Sequence, residues 1–587
     1  MATQPTGVTG PDPTARLAPV APPPPAPQGR LPETGASPGL RQRAWRYLLG
    51  PVPGEAVSVH RRAEPEPEVA VSPRWSARYG RFVLAAVLGF VGSLFIVASA
   101  PVWYLAEPAW RLTVSFIPHP GSSVSSISTF IVGLVLMVLG WLVLIGRADR
   151  SPSTPRGRLI AVVLVGAVWC LPIMAGPPLL SRDAYSYSAQ GEMASRGIDP
   201  TANGPEVLRY GWYVRQADPL WRGAPAPYGP VAVEAEKLVV EASNHDAAGS
   251  VWGMRVVALL GMMMASVGVA LIAAHYKRSP ALAVALGVAN PLVLLHLLGG
   301  SHNDSLMLGL LALGFAAFLR DRRLLGVFLV ALASAVKLTA APALIFMAWN
   351  WRDDPSLTFL RRVRQSAWVL AGTAVVVAAL CAAVGVGFGW ISALKSTGQS
   401  MSTYSLPTKF GFLIIDALGF LGLHPSAGAV IGASRALGLL VAALISFVLL
   451  VRSPQIGLVR AFAFSSLAIV MLGPVVWPWY LATGFALLAA SGVGRWRPSY
   501  VVLLVSATAL VWPAGISPLA SIQHYQNAIS PLVIAFVLGV CWFAQQLAAR
   551  SRGRRRSGPT DGTDAATELG GQTDTGAQLV RAGVTPA

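Results

Sequence analysis

Three short stretches of this chain concentrate the groups that can do chemistry: SRDAYSYSAQGEMASRGIDP with Asp183, GGSHND with Ser301, His302, Asn303 and Asp304, and AVKLTAAPAL with Lys337. A carboxylate where apolar sequence meets water can act as a general base. Its blander reading is an N-cap for an interfacial helix from Ala184 to Ser195, a task Asp performs well. Ser301 and Asp304, three apart, fit a capping box, while His302 and Asn303 add a titratable donor and an amide suited to a phosphate or a sugar. Only one carboxylate and one imidazole are adjacent, so the tetrad lacks the ligand set of a metal site. Neither a divalent metal nor another cofactor is expected. Lys337 either snorkels to the nearest water or meets a buried anion.

Other polar and aromatic groups fall on the same side by the topology argued below: Tyr185, Tyr187, Tyr228, Lys395, Lys409, the WPWY stretch with Trp479 and Tyr480, and His524. WPWY reads as an interfacial aromatic anchor or as a platform for a sugar or prenyl chain. His524 reads as a solvated loop histidine or a proton carrier.

The elements that must position these residues are membrane helices. Of 587 residues, 54% are hydrophobic and 12% charged, about half the charge of a soluble domain. At roughly 20 residues per crossing, about 12 to 14 membrane helices are expected. A soluble enzyme with an anchor is excluded, and continuous rather than alternating apolar runs exclude a transmembrane β-barrel. The net charge of +19 sits largely in short juxtamembrane loops and tails, so it reads as topology rather than nucleic-acid binding. Cys170, Cys381 and Cys541 lie in apolar segments and read as small buried hydrophobes.

Residues 1–80 and 549–587 are Pro-, Ala- and Gly-rich tails too poor in apolar surface to order themselves. Their Arg-rich flanks place both in the cytoplasm, so the crossings of the 81–548 membrane domain must be even in number. Crossings are expected near 82–104, 126–146, 159–178, 251–274, 281–298, 305–319, 365–388, 426–451, 461–477, 480–494, 499–516 and 529–547. Residues 180–250 form the longest outside loop, and 389–411 a second. The segment 324–349 has cytoplasmic Arg at both ends, so it must enter and return. Its 26 residues make only ~39 Å of helix, too little for two full crossings. A short broken-helix pair lining a polar cavity solves this, with Lys337 ~20 Å up, near the break.

SRDAYSYSAQG and GIDP, PYGP at 227–230, GGSHNDSLMLGLLALG and AVKLTAAPAL, in this order and alternating with crossings, resemble the actinobacterial polyprenol-phosphate-mannose-dependent α-1,6-mannosyltransferases over roughly residues 80 to 550. The resemblance implies the C-type membrane glycosyltransferase fold. It implies mannose transfer with inversion from polyprenyl-phosphate-mannose to a mannoside or glycolipid acceptor, building lipomannan-type glycans outside the plasma membrane. It maps the family's loop carboxylate onto Asp183 and its His-Asn-Asp motif onto His302, Asn303 and Asp304. A transporter or lipid flippase would share broken helices and midplane charge. Against it, 324–349 has no repeat in the other half, and the long outside loop is unlike a transporter's short connections. A structural envelope subunit would leave Asp183 and Lys337 unexplained together.

Overall fold

The structure, a computed structural model, describes residues 75–100, 123–149, 151, 153–352, 357–394, 405–494 and 497–509. The 549–587 tail, residues 1–74 of the other expected tail, the 529–547 crossing, Lys395, His524 and Cys541 lie outside these residues, while 75–80, read as the end of the first tail, are already helical. The described part is all-α, with no strand among the described residues, and the protein is a polytopic membrane protein. Its helices are α1 (Trp75–Ser99), α2 (Ser123–Ala148), α3 (Pro155–Ala175), α4 (Asp183–Ser195), α5 (Pro230–Ala242), α6 (Ala247–His275), α7 (Pro280–Gly287) and α8 (Asp304–Phe318). They continue with α9 (Arg323–Val336), α10 (Pro342–Trp349), α11 (Phe359–Val384), α12 (Leu406–Phe420), α13 (Ala427–Val451), α14 (Leu458–Leu472), α15 (Pro478–Ser491) and α16 (Arg497–Ala509). Six described helices, α1, α2, α3, α6, α11 and α13, are long and apolar enough to cross a membrane alone. Shorter apolar helices fill the space between them.

The 324–349 segment breaks as its length requires. Helix α9 ends at Val336, Lys337 is extended (φ −151°, ψ 128°), and one 3₁₀ turn leads into α10, which opens on Pro342. The crossing expected at 281–298 is also broken, which the apolar pattern concealed. Pro291 has no N–H to continue the ladder, and buried Asn290 serves both ends of the gap, donating to Leu286 O at 3.0 Å and accepting from Val293 N–H at 3.0 Å. A π-helical segment, Val293–Gly299, follows. A second correction concerns 389–411, read as a loop: α12 begins at Leu406 within it, its N-terminus capped by the Ser405 hydroxyl.

Three packing features fix the site. Gly261 of α6 faces Gly309 of α8 so closely that an added Cβ on either would come within 2.5 Å of the other helix's backbone, which seats α8 and its first residue, Asp304. The fully buried Arg255 of α6 donates to Ile173 O (2.9 Å), Met174 O (3.3 Å) and Gly176 O. It thereby satisfies carbonyls that a helix end leaves without partners and holds the end of α3 just ahead of Asp183. The Leu179 N–H donates to Gly299 O at 2.7 Å, tying the strand of chain before Asp183 to the one before His302. Cys170 and Cys381 are free and buried.

Candidate active site

Asp183 occupies the first turn of α4, and Arg182, not Asp183, holds the N-cap position, with no side-chain cap bond. The capping reading of Asp183 is therefore replaced by a tertiary one. Its Oδ2 lies 3.1 Å from His302 Nδ1 and accepts from the Tyr187 hydroxyl at 3.3 Å. The carboxylate keeps 16% of its surface exposed and lines a cavity of about 440 Å³. Burial pushes its pKa up, but the adjoining His302, the Lys337 charge and the Ser181 hydroxyl outweigh this and hold it below its ordinary value of 3.8. Asp183 is thus an ionised, cavity-facing carboxylate.

The capping box gives way in the same manner. Asn303 takes the N-cap position of α8 without a side-chain cap bond, and Ser301 sits at φ 55°. Asp304 Oδ2 instead accepts from Lys337 Nζ at 2.6 Å, with both side chains buried. Lys337 also lies 4.4 Å from the Tyr480 ring centroid and 5.8 Å from that of Tyr228. The PYGP stretch explains this convergence. Gly229 donates its N–H to Val336 O at 3.1 Å, and a Cβ at Gly229 would stand 2.3 Å from Ala335 O, so only glycine lets the loop rest on the helix break. Tyr228 then meets Tyr187 edge-on at 5.2 Å.

WPWY is more than an interfacial anchor. Trp479 stacks on His302 with ring centroids 3.9 Å apart at 18°, and Trp477 stacks on Trp479 at 5.1 Å and 4°. Among the expected site residues, Asp183, Tyr187, Tyr228, Lys337, Trp479 and Tyr480 line the cavity, with His302 and Asp304 buried directly behind its wall. Asn303 adjoins them at the head of α8, and no described group bonds its amide atoms. Tyr185 turns away to pack on Trp212 at 5.6 Å, and Lys409 is exposed on α12, outside the cavity lining.

Two further charged groups that are not among the expected site residues, Arg182 and Asp218, stand in the cavity wall. Arg182 is the immediate neighbour of Asp183, and its guanidinium forms no salt bridge or hydrogen bond with a described residue, though its charge acts on Asp218 nearby. Burial raises Asp218 above the usual carboxylate value, against the Leu220 N–H bond it accepts. The signal available was their position: both lie in the polar outside loop that carries Asp183. The cavity is two-faced. The 181–228 loop supplies polar groups, and Leu439, Ile469 and Val470 of α13 and α14 supply an apolar wall. Among the described residues, no three His, Cys, Asp or Glu side chains group as metal ligands.

Fold and site together define a helical membrane protein with an ionised carboxylate set between a polar loop and an apolar wall. Residues 86–353 match the family model described as "Alpha-(1->6)-mannopyranosyltransferase, N-terminal domain", and 407–546 match the "MptB C-terminal domain". The chain is 31% identical over 373 residues to alpha-(1->6)-mannopyranosyltransferase A of Mycobacterium tuberculosis, covering 62% of this chain and 70% of that protein. It is 29% identical over 451 residues to alpha-(1->6)-mannopyranosyltransferase B of Corynebacterium glutamicum, covering 70% of this chain and 73% of that one. No solved structure matches. The chain belongs to the alpha-(1->6)-mannopyranosyltransferase family. It is a multi-pass membrane glycosyltransferase that transfers mannose, which sets aside the flippase and structural-subunit alternatives.

Proposed function

We propose that the enzyme takes mannose from polyprenyl-phosphate-mannose and passes it with inversion to a mannoside or glycolipid acceptor, forming α-1,6 links of a lipomannan-type glycan. The observation that carries this reading is the two-faced cavity, with Asp183 at the seam between the polar loop and the apolar wall. The prenyl chain lies along Leu439, Ile469 and Val470, and the acceptor enters from the loop side. Asp183 takes the proton from the acceptor hydroxyl as its oxygen bonds to the anomeric carbon. The bond from that carbon to the phosphate oxygen breaks on the opposite face, leaving polyprenyl phosphate with one more negative charge.

That charge needs a cation, since catalysis rests on stabilising charge where it develops. Lys337 lines the cavity but is already matched by Asp304 at 2.6 Å, so Arg182 is the cation with charge to spare, and Lys337 assists. Neighbouring residues at a helix start point roughly 100° apart, so Arg182 and Asp183 reach different parts of the cavity that both line. Asp304, buried and paired, is a poor base. No metal is assigned a role. The site faces outward across the plasma membrane, with both termini cytoplasmic, by the placement of Arg.

Purified protein in lipid should move labelled mannose from polyprenyl-phosphate-mannose to a mannoside, and a soluble nucleotide-sugar should not replace this donor. Transfer from the nucleotide-sugar alone would overturn the reading.

A further inference from the structure

A second cavity, of about 920 Å³, lies far from the catalytic one, between α9 and α11. We propose that it binds an anionic glycerophospholipid from the leaflet opposite the active site. Val327 and Phe328 of α9 and Val369 and Gly372 of α11 form an apolar slot, and Arg352, Arg361 and Arg364 stand at its mouth. The 14 residues of α9 put roughly 20 Å between this end and Lys337.

Two independent observations point to a lipid. First, α11 is the least buried of the six long apolar helices: 11% of its apolar stretch is covered by protein, against 22–50% for the others. Its slot therefore faces the bilayer. Second, the local arginines divide into two sets. Arg323 donates to Trp351 O and pairs with Asp321 at 2.9 Å, and Arg362 donates to Trp349 O at 2.6 Å. These hold the protein together. Arg352, Arg361 and Arg364 make no hydrogen bond or ion pair with any described residue, and Arg352 and Arg361 are exposed. Asp353 and Asp354 follow in the sequence, yet the segments 320–323 and 352–364 keep an excess of positive charge over them.

Unspent guanidinium groups at the headgroup level, above an apolar slot between helices, match a phosphate with acyl chains below it. The exposed Trp368 at the rim suits the interfacial zone. A zwitterionic lipid fits the slot equally well but brings a cationic group to the same arginines, so the charge selects an anionic headgroup.

The test uses full-length protein in detergent, with bound lipid counted by native mass spectrometry after exposure to phosphatidylglycerol or phosphatidylcholine. Two variants separate charge from shape. Arg361→Gln/Arg364→Gln removes headgroup contacts, and Gly372→Phe fills the slot from a position where an added Cβ meets no atom within 4 Å. Wild type should retain phosphatidylglycerol in preference to phosphatidylcholine. The charge variant should bind it about thirtyfold more weakly, the loss expected for two juxtamembrane arginines. Gly372→Phe should lose it as well, while both variants keep the wild-type melting temperature in detergent alone. The proposal falls if the two lipids are held alike, or if neither variant changes retention. It also falls if only the charge variant loses lipid, which is diffuse surface attraction, or if the slot instead holds a second copy of the chain.

Discussion

His302 lies face to face with Trp479, ring centroids 3.9 Å apart, while its Nδ1 stands 3.1 Å from Asp183 Oδ2. An aromatic wall thus fixes the orientation of the imidazole, and the imidazole fixes the carboxylate. Removing the His302 imidazole should raise the Asp183 pKa, because the contact it makes favours the ionised carboxylate. The base would then be protonated, and activity lost, at a higher pH. In His302→Gln the acid limb of the transfer rate should move upward, and Trp479→Leu should move it the same way by a smaller amount. A pH profile of kcat that is unchanged in both would show that the stack has no hold on Asp183.

Asp183→Asn should lower transfer roughly 10²–10⁴-fold, the usual contribution of a positioned base, without loss of fold, since Asn is tolerated at a helix start. Asp218 is the rival carboxylate in the cavity. Asp218→Asn should raise the acceptor KM and spare most of kcat. The opposite pattern, with Asp218→Asn inactive and Asp183→Asn active, would exchange their roles.

Lys337→Met alone should destabilise the protein by about 3–5 kcal/mol, because it strands the buried Asp304 carboxylate. Asp304→Asn/Lys337→Met should recover most of that stability while still using the donor poorly. Thermal unfolding and donor titration on the same samples separate the two effects. Full recovery of donor use in the double variant would confine Lys337 to a structural role.

Arg182→Gln should reduce kcat/KM for the lipid donor roughly 10- to 100-fold, the loss of one charge-assisted hydrogen bond, while the acceptor KM stays near wild type. Arg182→Lys should restore only part of this, because an ammonium lacks the planar fork that grips phosphate. Equal losses for donor and acceptor would place Arg182 elsewhere in the mechanism.

Much of the architecture was legible because bilayer physics leaves few choices. Continuous apolar runs of spanning length have to be helices, and α1, α2, α3, α6, α11 and α13 fall where those runs lie. The break at Lys337 followed from arithmetic alone, since 26 residues cannot cross twice. The break after Gly287 did not, because one Asn-Pro step inside an apolar run leaves hydropathy unchanged while removing a backbone donor. Asp183, His302, Asp304 and Lys337 were visible as charges too costly to bury without purpose. Their pairing was not. Local spacing favoured helix caps for Asp183 and for Ser301 with Asp304, since a cap is a contact within one turn. The structure replaced both with partners 119 and 33 residues away. Only the tertiary fold decides such contacts, through the Leu179–Gly299 bond, the Gly261–Gly309 approach and Gly229 resting on Ala335. Each is a meeting of backbones that no periodicity within a single segment records.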